Sequence, residues 1–313
     1  MPEAVYSKPI VNVNYYISAA VAHFSMNSEL SKYRQQTESK YCILELVGQG
    51  QFGQVFRATH KTSGQVVALK ELEINRFPTA KFLRELHFLI SLQHPNIVAF
   101  QGLEHTLSGR YLVMDYCEGG SLRSLMKLQG KLSLALSLKL IIDILAGLEH
   151  IHSCKIIHRD IKPENILLKR DATGWLARVS DFGMSRLSHE VYADKQDDCA
   201  GSPAYMAPER FYGQYSPASD FYAVGVLLFE LVTGVRPFSG LPGELLVAHI
   251  NQAVMIPETV PFLLRCTITK AMQKLPSHRF KSATEMLKSV QLAEQVERAS
   301  NNSGCVAKNG SVK

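Results

Sequence analysis

Four polar residues in two short stretches of the chain have the types and spacing needed for phosphoryl transfer to a hydroxyl. The stretch "HRDIKPEN" supplies Asp160, Lys162 and Asn165, and "DFG" follows at Asp181. The Asp160 carboxylate can accept a hydrogen bond from an incoming hydroxyl, and Lys162 can neutralise charge on a moving phosphoryl group. Mg²⁺ prefers carboxylate and amide oxygens, so Asn165 and Asp181 are candidate magnesium ligands.

A glycine-rich stretch, "GQGQFGQV", lies upstream of these residues. Gly48, Gly50 and Gly53 allow the backbone to bend tightly and to bring its N–H groups close to phosphate oxygens. The same glycine spacing occurs in dinucleotide-binding folds, and Glu71 lies near the position of their ribose-binding acid. Those folds need a helix directly after the glycines, whereas residues 55–59 have the composition of a strand. A glycine-rich hairpin without function is a third interpretation.

Lys70 and Glu85 are the candidates for holding a polyphosphate. Lys70 ends the apolar run "VALK", where an ammonium group is costly unless it is paired. Glu85 shares a helix face with Phe82 and Leu89, so its carboxylate points inward among apolar neighbours. Each residue taken singly is more typical of a partly exposed position. Together they predict an ion pair.

Two kinds of segment must position these residues. Short runs rich in β-branched and aromatic residues predict antiparallel strands in the first third of the chain; they are "CILELVGQG", "QVFRATH", "QVVALKEL" and "YLVMDY". A helical spacing of apolar residues begins at Ala80. Beyond Gly120 most segments predict helices, notably "LALSLKLIIDILAGLEHIHS" and "DFYAVGVLLFELVTG". A strand-rich part followed by a helical part implies two lobes.

The composition is that of an ordinary globular protein. The 313 residues are 46% hydrophobic, which is enough for a large core. The net charge of +6 is scattered, so neither a nucleic-acid surface nor a membrane surface is indicated. The six cysteines form no zinc-binding pattern and are interpreted as thiols of a reducing cytosol. No apolar run reaches the roughly 20 residues of a membrane span, and we expect a cytoplasmic protein.

Both ends of the chain lack a sustained apolar period. Residues 1–40 are rich in Ser, Asn and Gln and predict a flexible N-terminal arm. After about Gln291 the sequence predicts a helix end that frays into a flexible tail over residues 292–313. The folded domain is therefore expected over residues 41–291.

The motifs taken together resemble those of eukaryotic-type (Hanks-type) Ser/Thr protein kinases. The glycine-rich loop, "VALK", "HRDIKPEN", "DFG" and "APE" occur in the order and spacing of that family. The resemblance implies an α+β, bilobal fold. A small antiparallel β-sheet N-lobe with one main helix would cover about residues 41–116, and a larger, mainly α-helical C-lobe would cover about residues 117–291. The short tails resemble those of soluble bacterial eukaryotic-like Ser/Thr kinases.

The resemblance implies transfer of the γ-phosphoryl group of Mg-ATP to Ser or Thr hydroxyls of protein substrates, with autophosphorylation. The implied catalytic residues are Asp160, Lys162, Lys70 and Glu85, and the implied magnesium ligands are Asn165 and Asp181. The implied ATP-binding positions are Val47, Gly48, Gly50, Gly53, Val55, Ala68, Lys70, Met114, Asp115, Cys117, Ser121, Leu167 and Asp181.

Several of these positions have specific roles in the family. Asp160 would be the base, or would orient the substrate hydroxyl. Met114 would be the gatekeeper before a hinge segment, residues 115–117, whose backbone would recognise the adenine edge. Val55, Ala68 and Leu167 would pack on the adenine ring.

Two features favour Ser and Thr as acceptors. Lys162 lies two residues after Asp160, as in Ser/Thr kinases, and "GSPAYMAPE" resembles the Ser/Thr form of the peptide platform. In that form Ser202 would hydrogen-bond Asp160 and Lys162 beneath the substrate.

Two structural positions depart from the family pattern. The resemblance implies that Asp220 braces the catalytic loop and that Arg279 pairs with Glu209. Tyr222 stands where Trp is usual, and Leu275 stands where Asp is common. Both departures place local stability in doubt rather than chemistry.

Arg159 raises a hypothesis about regulation. In the family this residue usually meets a phosphate on the activation loop, about nine residues before the Ala of "APE". That position is Asp198. Asp198 is therefore a candidate built-in partner of Arg159, although a carboxylate carries less charge than the roughly −1.5 to −2 of a phosphate. The alternative is a solvated loop acid. Ser202 is a possible modification site that the platform role explains better.

Two other functions are compatible with a kinase-like sequence. A pseudokinase scaffold would ordinarily lack Lys70, Asp160 or Asp181, and all three are present. An enzyme acting on a small molecule would ordinarily lack the platform that seats a peptide. The sequence does not indicate the physiological substrate, the upstream signal or the oligomeric state.

Overall fold

The computed structural model describes residues 39–50, 53–71, 79–106, 109–172, 174–188 and 201–306. The chain divides into two units. The first comprises Met1–Ser91 and Phe100–Val113, and the second comprises Leu92–Ala99 and Met114–Lys313. The predicted α+β, bilobal architecture is thereby confirmed.

The first unit is built on a five-stranded sheet in the order β1-β2-β3-β5-β4. Its strands are β1 Tyr41–Gly50, β2 Gly53–His60, β3 Val66–Glu71, β4 Phe100–His105 and β5 Arg110–Asp115. Strands β1, β2 and β3 pair antiparallel, each with the strand next to it in sequence. The one helix described in this unit is α1, Thr79–Ser91. Part of the sheet core is formed by Ala58, Val67, Leu69, Tyr111 and Val113.

The second unit is mainly helical. Its helices are α2 Leu122–Gln129, α3 Leu134–Ser153, α4 Pro217–Thr233, α5 Pro242–Asn251, α6 Phe262–Ala271 and α7 Ala283–Val306. Helix α4 is buried on all sides, as its continuous apolar sequence requires. Two small sheets pair β6 Ile156–Ile157 with β9 Arg186–Leu187, and β7 Ile166–Asp171 with β8 Gly174–Val179. No helix within the described residues is long and apolar enough to cross a membrane.

The helices of the second unit begin and end at residues suited to those positions. Ser121 and Ser133 each accept a backbone N–H from the first turn of the helix that follows, which satisfies a donor that has no partner within the helix. Gly130 and Gly234 end α2 and α4 with φ angles of 69° and 86°, a conformation that glycine adopts at little cost.

The chain passes from the first unit to the second between Val113 and Met114, a few residues before the lobe boundary expected at about residues 116 and 117, which stays a prediction. Asp115 is bonded to the second unit. Its N–H donates to the Ala99 carbonyl at 2.9 Å, and its carboxylate accepts a hydrogen bond from Arg178 at 2.6 Å.

The last helix, α7, also differs from the expectation. It continues past residue 291 to Val306, so the segment predicted as a flexible tail begins as helix. The reason is burial, because Val290 and Ala293 are at most 1% exposed and α7 packs on α3. Residues 1–38 of the predicted N-terminal arm lie outside the described residues.

Candidate active site

The predicted ion pair between Lys70 and Glu85 is present in the first unit. Lys70 Nζ lies 2.6 Å from Glu85 Oε1, and their side chains are 10% and 3% exposed. Lys70 is held in β3 by its pairing opposite Val55 of β2. Because a buried charge is costly when unpaired, the opposite charges of the two residues offset part of the cost of burying each of them. The pair thus holds an ammonium group in place on the sheet.

The glycine-rich stretch forms the end of β1 and the start of β2. Gly48 pairs with Val55 and Gly50 with Gly53, while residues 51 and 52 lie outside the described part of the chain. Gly53 has a φ angle of 122°, and a Cβ atom there would lie 2.4 Å from the Glu71 carbonyl oxygen. Only glycine fits this position. Because the chain continues as strand β2, the dinucleotide-binding interpretation is wrong.

The other predicted nucleotide-binding residues of this unit are also placed on its strands. Val47, in β1, is 44% exposed, whereas Ala68, in β3, is 8% exposed. Ala68 lies opposite Arg57 in the β2–β3 register. The contribution of these side chains to nucleotide binding stays a prediction.

Asp160, Lys162 and Asn165 lie on one loop, residues 158–165, which is called the catalytic loop. It is held by Asp220, a buried residue of α4. Its two carboxylate oxygens accept the backbone N–H groups of His158 and Arg159, each at 2.9 Å. His152 Nε2 lies 2.8 Å from the same carboxylate. Burial opposes ionisation, but these hydrogen bonds outweigh it and hold the pKa of the Asp220 carboxyl below its ordinary value. The expected brace of the loop is therefore present.

Arg159 is the strained residue of this loop. Its φ angle is 71°, which is unfavourable for a residue with a Cβ and persists where surrounding contacts fix the backbone. Its guanidinium lies 4.3 Å from the centre of the Tyr215 ring, within the range of a cation–π contact. Asp198, the predicted partner, lies outside the described residues, so that hypothesis stays a prediction.

The two carboxylate oxygens of Asp160 have different environments. Oδ2 lies 2.7 Å from Lys162 Nζ and accepts the Asn165 side-chain amide at 2.8 Å. No hydrogen bond from the described residues reaches Oδ1. The carboxylate is thus fixed through one oxygen, and the other remains available to a substrate hydroxyl.

Ser202 lines the same small cavity as Asp160. Its hydroxyl makes no hydrogen bond to Asp160 or Lys162 within the described structure. The predicted role of Ser202 beneath the substrate therefore remains a prediction.

Asn165 and Asp181 have the groups that a magnesium ion requires. The Asn165 amide donates to both the carbonyl and the carboxylate of Asp160, which leaves its oxygen without a hydrogen bond from the described residues. The Asn165 carbonyl accepts two hydrogen bonds from Ser180, each at 2.9 Å, so the segment directly before Asp181 is tied to the catalytic loop. An amide oxygen and a carboxylate are donors that suit Mg²⁺.

The predicted hinge segment and its neighbours lie together in the second unit. Cys117 is 6% exposed, and burial raises the pKa of its thiol to about 11. Its carbonyl accepts the Gly120 N–H at 3.1 Å, while its own N–H is not used by any hydrogen bond among the described residues. Met114 is half-buried, and Leu167 forms a β-bridge with Ser121. The Cys117 N–H can therefore donate a hydrogen bond to an acceptor atom of a nucleotide base.

A partly buried polar cluster supports the platform from Ser202 to Glu209, and sequence reasoning missed it. Arg123 donates to Glu164 and to Glu230, each at 2.8 Å, and it also hydrogen-bonds Tyr205. Tyr205 in turn donates to Glu230. Burial opposes the charge on Arg123, but the bonds to Glu230 and Glu164 raise the pKa of its guanidinium above the ordinary value. No sequence signal links these residues, because they are far apart along the chain.

The platform is also anchored by Glu209 and Arg279, as the resemblance implies. Two guanidinium nitrogens of Arg279 bond the two Glu209 oxygens, each at 2.7 Å. The doubt about Tyr222 does not hold, since its hydroxyl lies 2.8 Å from His249 Nδ1 and Arg279 stacks on its ring. Leu275 is 57% exposed, so no buried partner is lost there.

The fold and these contacts define a protein kinase. The family model described as protein kinase domain matches residues 41–307, and the chain belongs to that family. It is 31% identical over 259 residues to the probable serine/threonine-protein kinase CPE1738 of Clostridium perfringens, covering 80% of this chain and 37% of that protein.

Two further relatives are of similar distance. The serine/threonine-protein kinase PkaA of Streptomyces coelicolor is 34% identical over 258 residues, which are 77% of this chain and 48% of that protein. The serine/threonine-protein kinase Nek3 of Mus musculus is 33% identical over 256 residues, which are 79% of this chain and 48% of that protein. The chain thus spans less than half the length of these curated relatives. The resemblance to Hanks-type kinases, bacterial ones included, is confirmed.

Proposed function

We propose that this chain is an ATP-dependent protein kinase that phosphorylates Ser and Thr hydroxyls of proteins. The observation that carries the proposal is the state of Asp160. Lys162 and Asn165 hold one carboxylate oxygen, Asp220 fixes the backbone of the loop, and the second oxygen accepts no hydrogen bond from the described residues. Such an oxygen can orient an incoming hydroxyl and take its proton.

The remaining residues support the same reaction. Mg²⁺ bound by Asn165 and Asp181 would supply charge neutralisation on the phosphates of ATP. Lys162, beside the base, would neutralise charge on the transferred group, and the Lys70 ammonium, kept in place by Glu85, would contact the other phosphates. Holding these groups in fixed positions is the main contribution a protein makes to phosphoryl transfer.

The acceptor and the setting belong to the same proposal. The three relatives compared above are named serine/threonine-protein kinases, and Lys162 and the "GSPAYMAPE" platform have the form typical of that class. Protein substrates, rather than nucleic acid, fit the scattered charge of the chain. Cys42, Cys117, Cys154 and Cys266 are free thiols, which supports a reducing compartment, the cytoplasm.

A transfer assay tests the proposal. Purified protein is incubated with Mg-ATP labelled in the γ-position and a generic Ser/Thr protein substrate, beside Asp181→Ala and beside wild type with the magnesium chelated. We expect label on Ser and Thr of the substrate in only one of these three reactions, the one with wild type and free access to magnesium. Equal labelling by wild type and Asp181→Ala would contradict the proposal and favour a pseudokinase scaffold. Label in a small molecule but not in protein would favour a kinase-like enzyme that acts on small molecules.

A further inference from the structure

The hinge segment is bonded to two other parts of the second unit. The Asp115 N–H donates to the Ala99 carbonyl at 2.9 Å, and Arg178 Nη1 donates to Asp115 Oδ2 at 2.6 Å. Residues 96–98 bond in turn to β8, where Ile97 bridges Val179. The start of the hinge segment, the stretch before β4 and strand β8 therefore form one hydrogen-bonded group.

The ion pair between Asp115 and Arg178 is the side-chain contact of this group. Their side chains are 19% and 13% exposed, so water screens the pair only in part. Lys169 Nζ lies 3.7 Å from the same carboxylate oxygen, but its side chain is 37% exposed. A short, charge-assisted and mostly buried hydrogen bond is stronger than a neutral one. Arg178 therefore makes a shorter and less exposed contact to the Asp115 side chain than Lys169 does.

The position of this pair along the chain gives it a consequence for nucleotide binding. Asp115 begins the segment whose backbone includes the Cys117 N–H, which no hydrogen bond among the described residues uses. Arg178 lies on β8, three residues before Asp181. A hinge segment that is not anchored samples other conformations, and the apparent affinity for a ligand falls by the fraction of chains in the competent one.

We propose that Asp115 and Arg178 are a positioning pair for the nucleotide. Their ion pair holds the hinge segment in the conformation that binds the adenine ring, so that less conformational freedom is lost on binding. The proposal rests on the proposed kinase function. It assigns to Arg178 a role outside the kinase motifs, in which Arg178 acts through its bond to Asp115.

The test measures nucleotide affinity and steady-state kinetics on the full chain. Arg178→Gln and Asp115→Asn each remove the ion pair, and Arg178→Lys keeps its charge. We expect the Kd for ADP and the KM for ATP to rise about fivefold to tenfold in the first two variants, or about 1 to 1.4 kcal/mol. In Arg178→Gln, kcat at saturating ATP and KM for the protein substrate should stay within about twofold of wild type. Arg178→Lys should recover part of the affinity.

The double variant and a control separate the pair from general effects. If the two residues act together, Arg178→Gln with Asp115→Asn should bind ADP no more weakly than either single variant. Arg298→Gln removes an arginine whose ion pair with Glu294 lies on α7, and it should leave Kd unchanged. Asp115→Asn, the smaller change, carries the test should Arg178→Gln fail to fold.

The outcomes distinguish this inference from the function on which it rests. A wild-type chain that binds no nucleotide and transfers no phosphate contradicts the proposed function. A wild-type chain that does both, with unchanged Kd in the two single variants, overturns the positioning pair alone. A lower kcat with a higher KM for both substrates, together with a lower melting temperature, would indicate that the pair has a structural role only. That result would also overturn the positioning pair.

Discussion

Replacing Asp220 by alanine should release the catalytic loop and so lower both stability and catalysis. The carboxylate accepts two backbone N–H groups at 2.9 Å and lies 2.8 Å from His152. Hydrogen bonds to a charged group contribute about 1.5 to 3 kcal/mol each, and a buried donor left unpaired costs about 1 to 3 kcal/mol. Because these terms overlap, we expect the free energy of unfolding to fall by about 3 kcal/mol.

The effect on catalysis should be larger than this loss of stability implies. Arg159 keeps a positive φ angle of 71° next to Asp160, and without Asp220 that backbone can relax to a less strained conformation. A displacement of a catalytic group by about 1 Å can cost about 100-fold in rate. We therefore expect kcat of Asp220→Ala to fall at least about 100-fold, with little change in the Kd for ADP.

Urea unfolding and steady-state phosphotransfer measure the two effects. Glu294→Ala, which removes an acid paired with Arg298 on α7, is the control and should leave kcat unchanged. The pKa of Asp220 is lowered in the folded protein, so its stabilisation is present above the unfolded value of about 3.9 and is lost as pH falls through the lower folded value. A folded Asp220→Ala chain with kcat close to that of wild type would refute the assignment of Asp220 as the brace.

Three further predictions concern other charged residues. Glu85→Gln removes the charge of the carboxylate that lies 2.6 Å from Lys70 Nζ and should lower kcat/KM at least about 100-fold in the phosphotransfer assay, whereas an unchanged value would contradict the role of the pair. Burial and the nearby positive charge lower the pKa of His249 to about 4. The unfolded chain, with a pKa of about 6.5, therefore binds a proton that the folded chain does not, and the unfolding free energy should fall as pH drops from about 6.5 to 4. This slope should be smaller in His249→Gln, as followed by urea unfolding, and an equal slope would show that other groups cause it. Asp198→Asn, compared with wild type after phosphatase treatment, should lose basal activity if Asp198 is the partner of Arg159, and equal activity would exclude that hypothesis.

Much of the candidate site could be predicted from the sequence because its chemistry needs particular residues close together along the chain. Asp160, Lys162 and Asn165 lie on one loop, and the hydrogen bonds between them are local. Gly53 was likewise identified from its spacing, and the close approach of the Glu71 carbonyl explains why no larger residue fits there. Lys70 and Glu85 could be paired because a buried charge on a strand needs a partner.

The contacts that fix these residues could not be predicted in the same way. Arg123, Glu164 and Glu230 form one cluster although they lie on separate elements. Their sequence positions carry no periodic pattern, and each residue alone is typical of a solvated surface. The extent of α7 was underestimated for a related reason, since the burial of Val290 and Ala293 depends on contact with α3.

The sequence by itself determined the kind of fold and indicated the residues proposed for catalysis, because motif spacing and apolar periodicity are properties of neighbouring residues. Tertiary structure decided which carboxylate oxygen of Asp160 stays open, where Asp220 binds, and that Arg178 holds Asp115. These depend on distances between side chains from different elements. Such distances are set when the helices and strands pack, and no local pattern in the sequence encodes them.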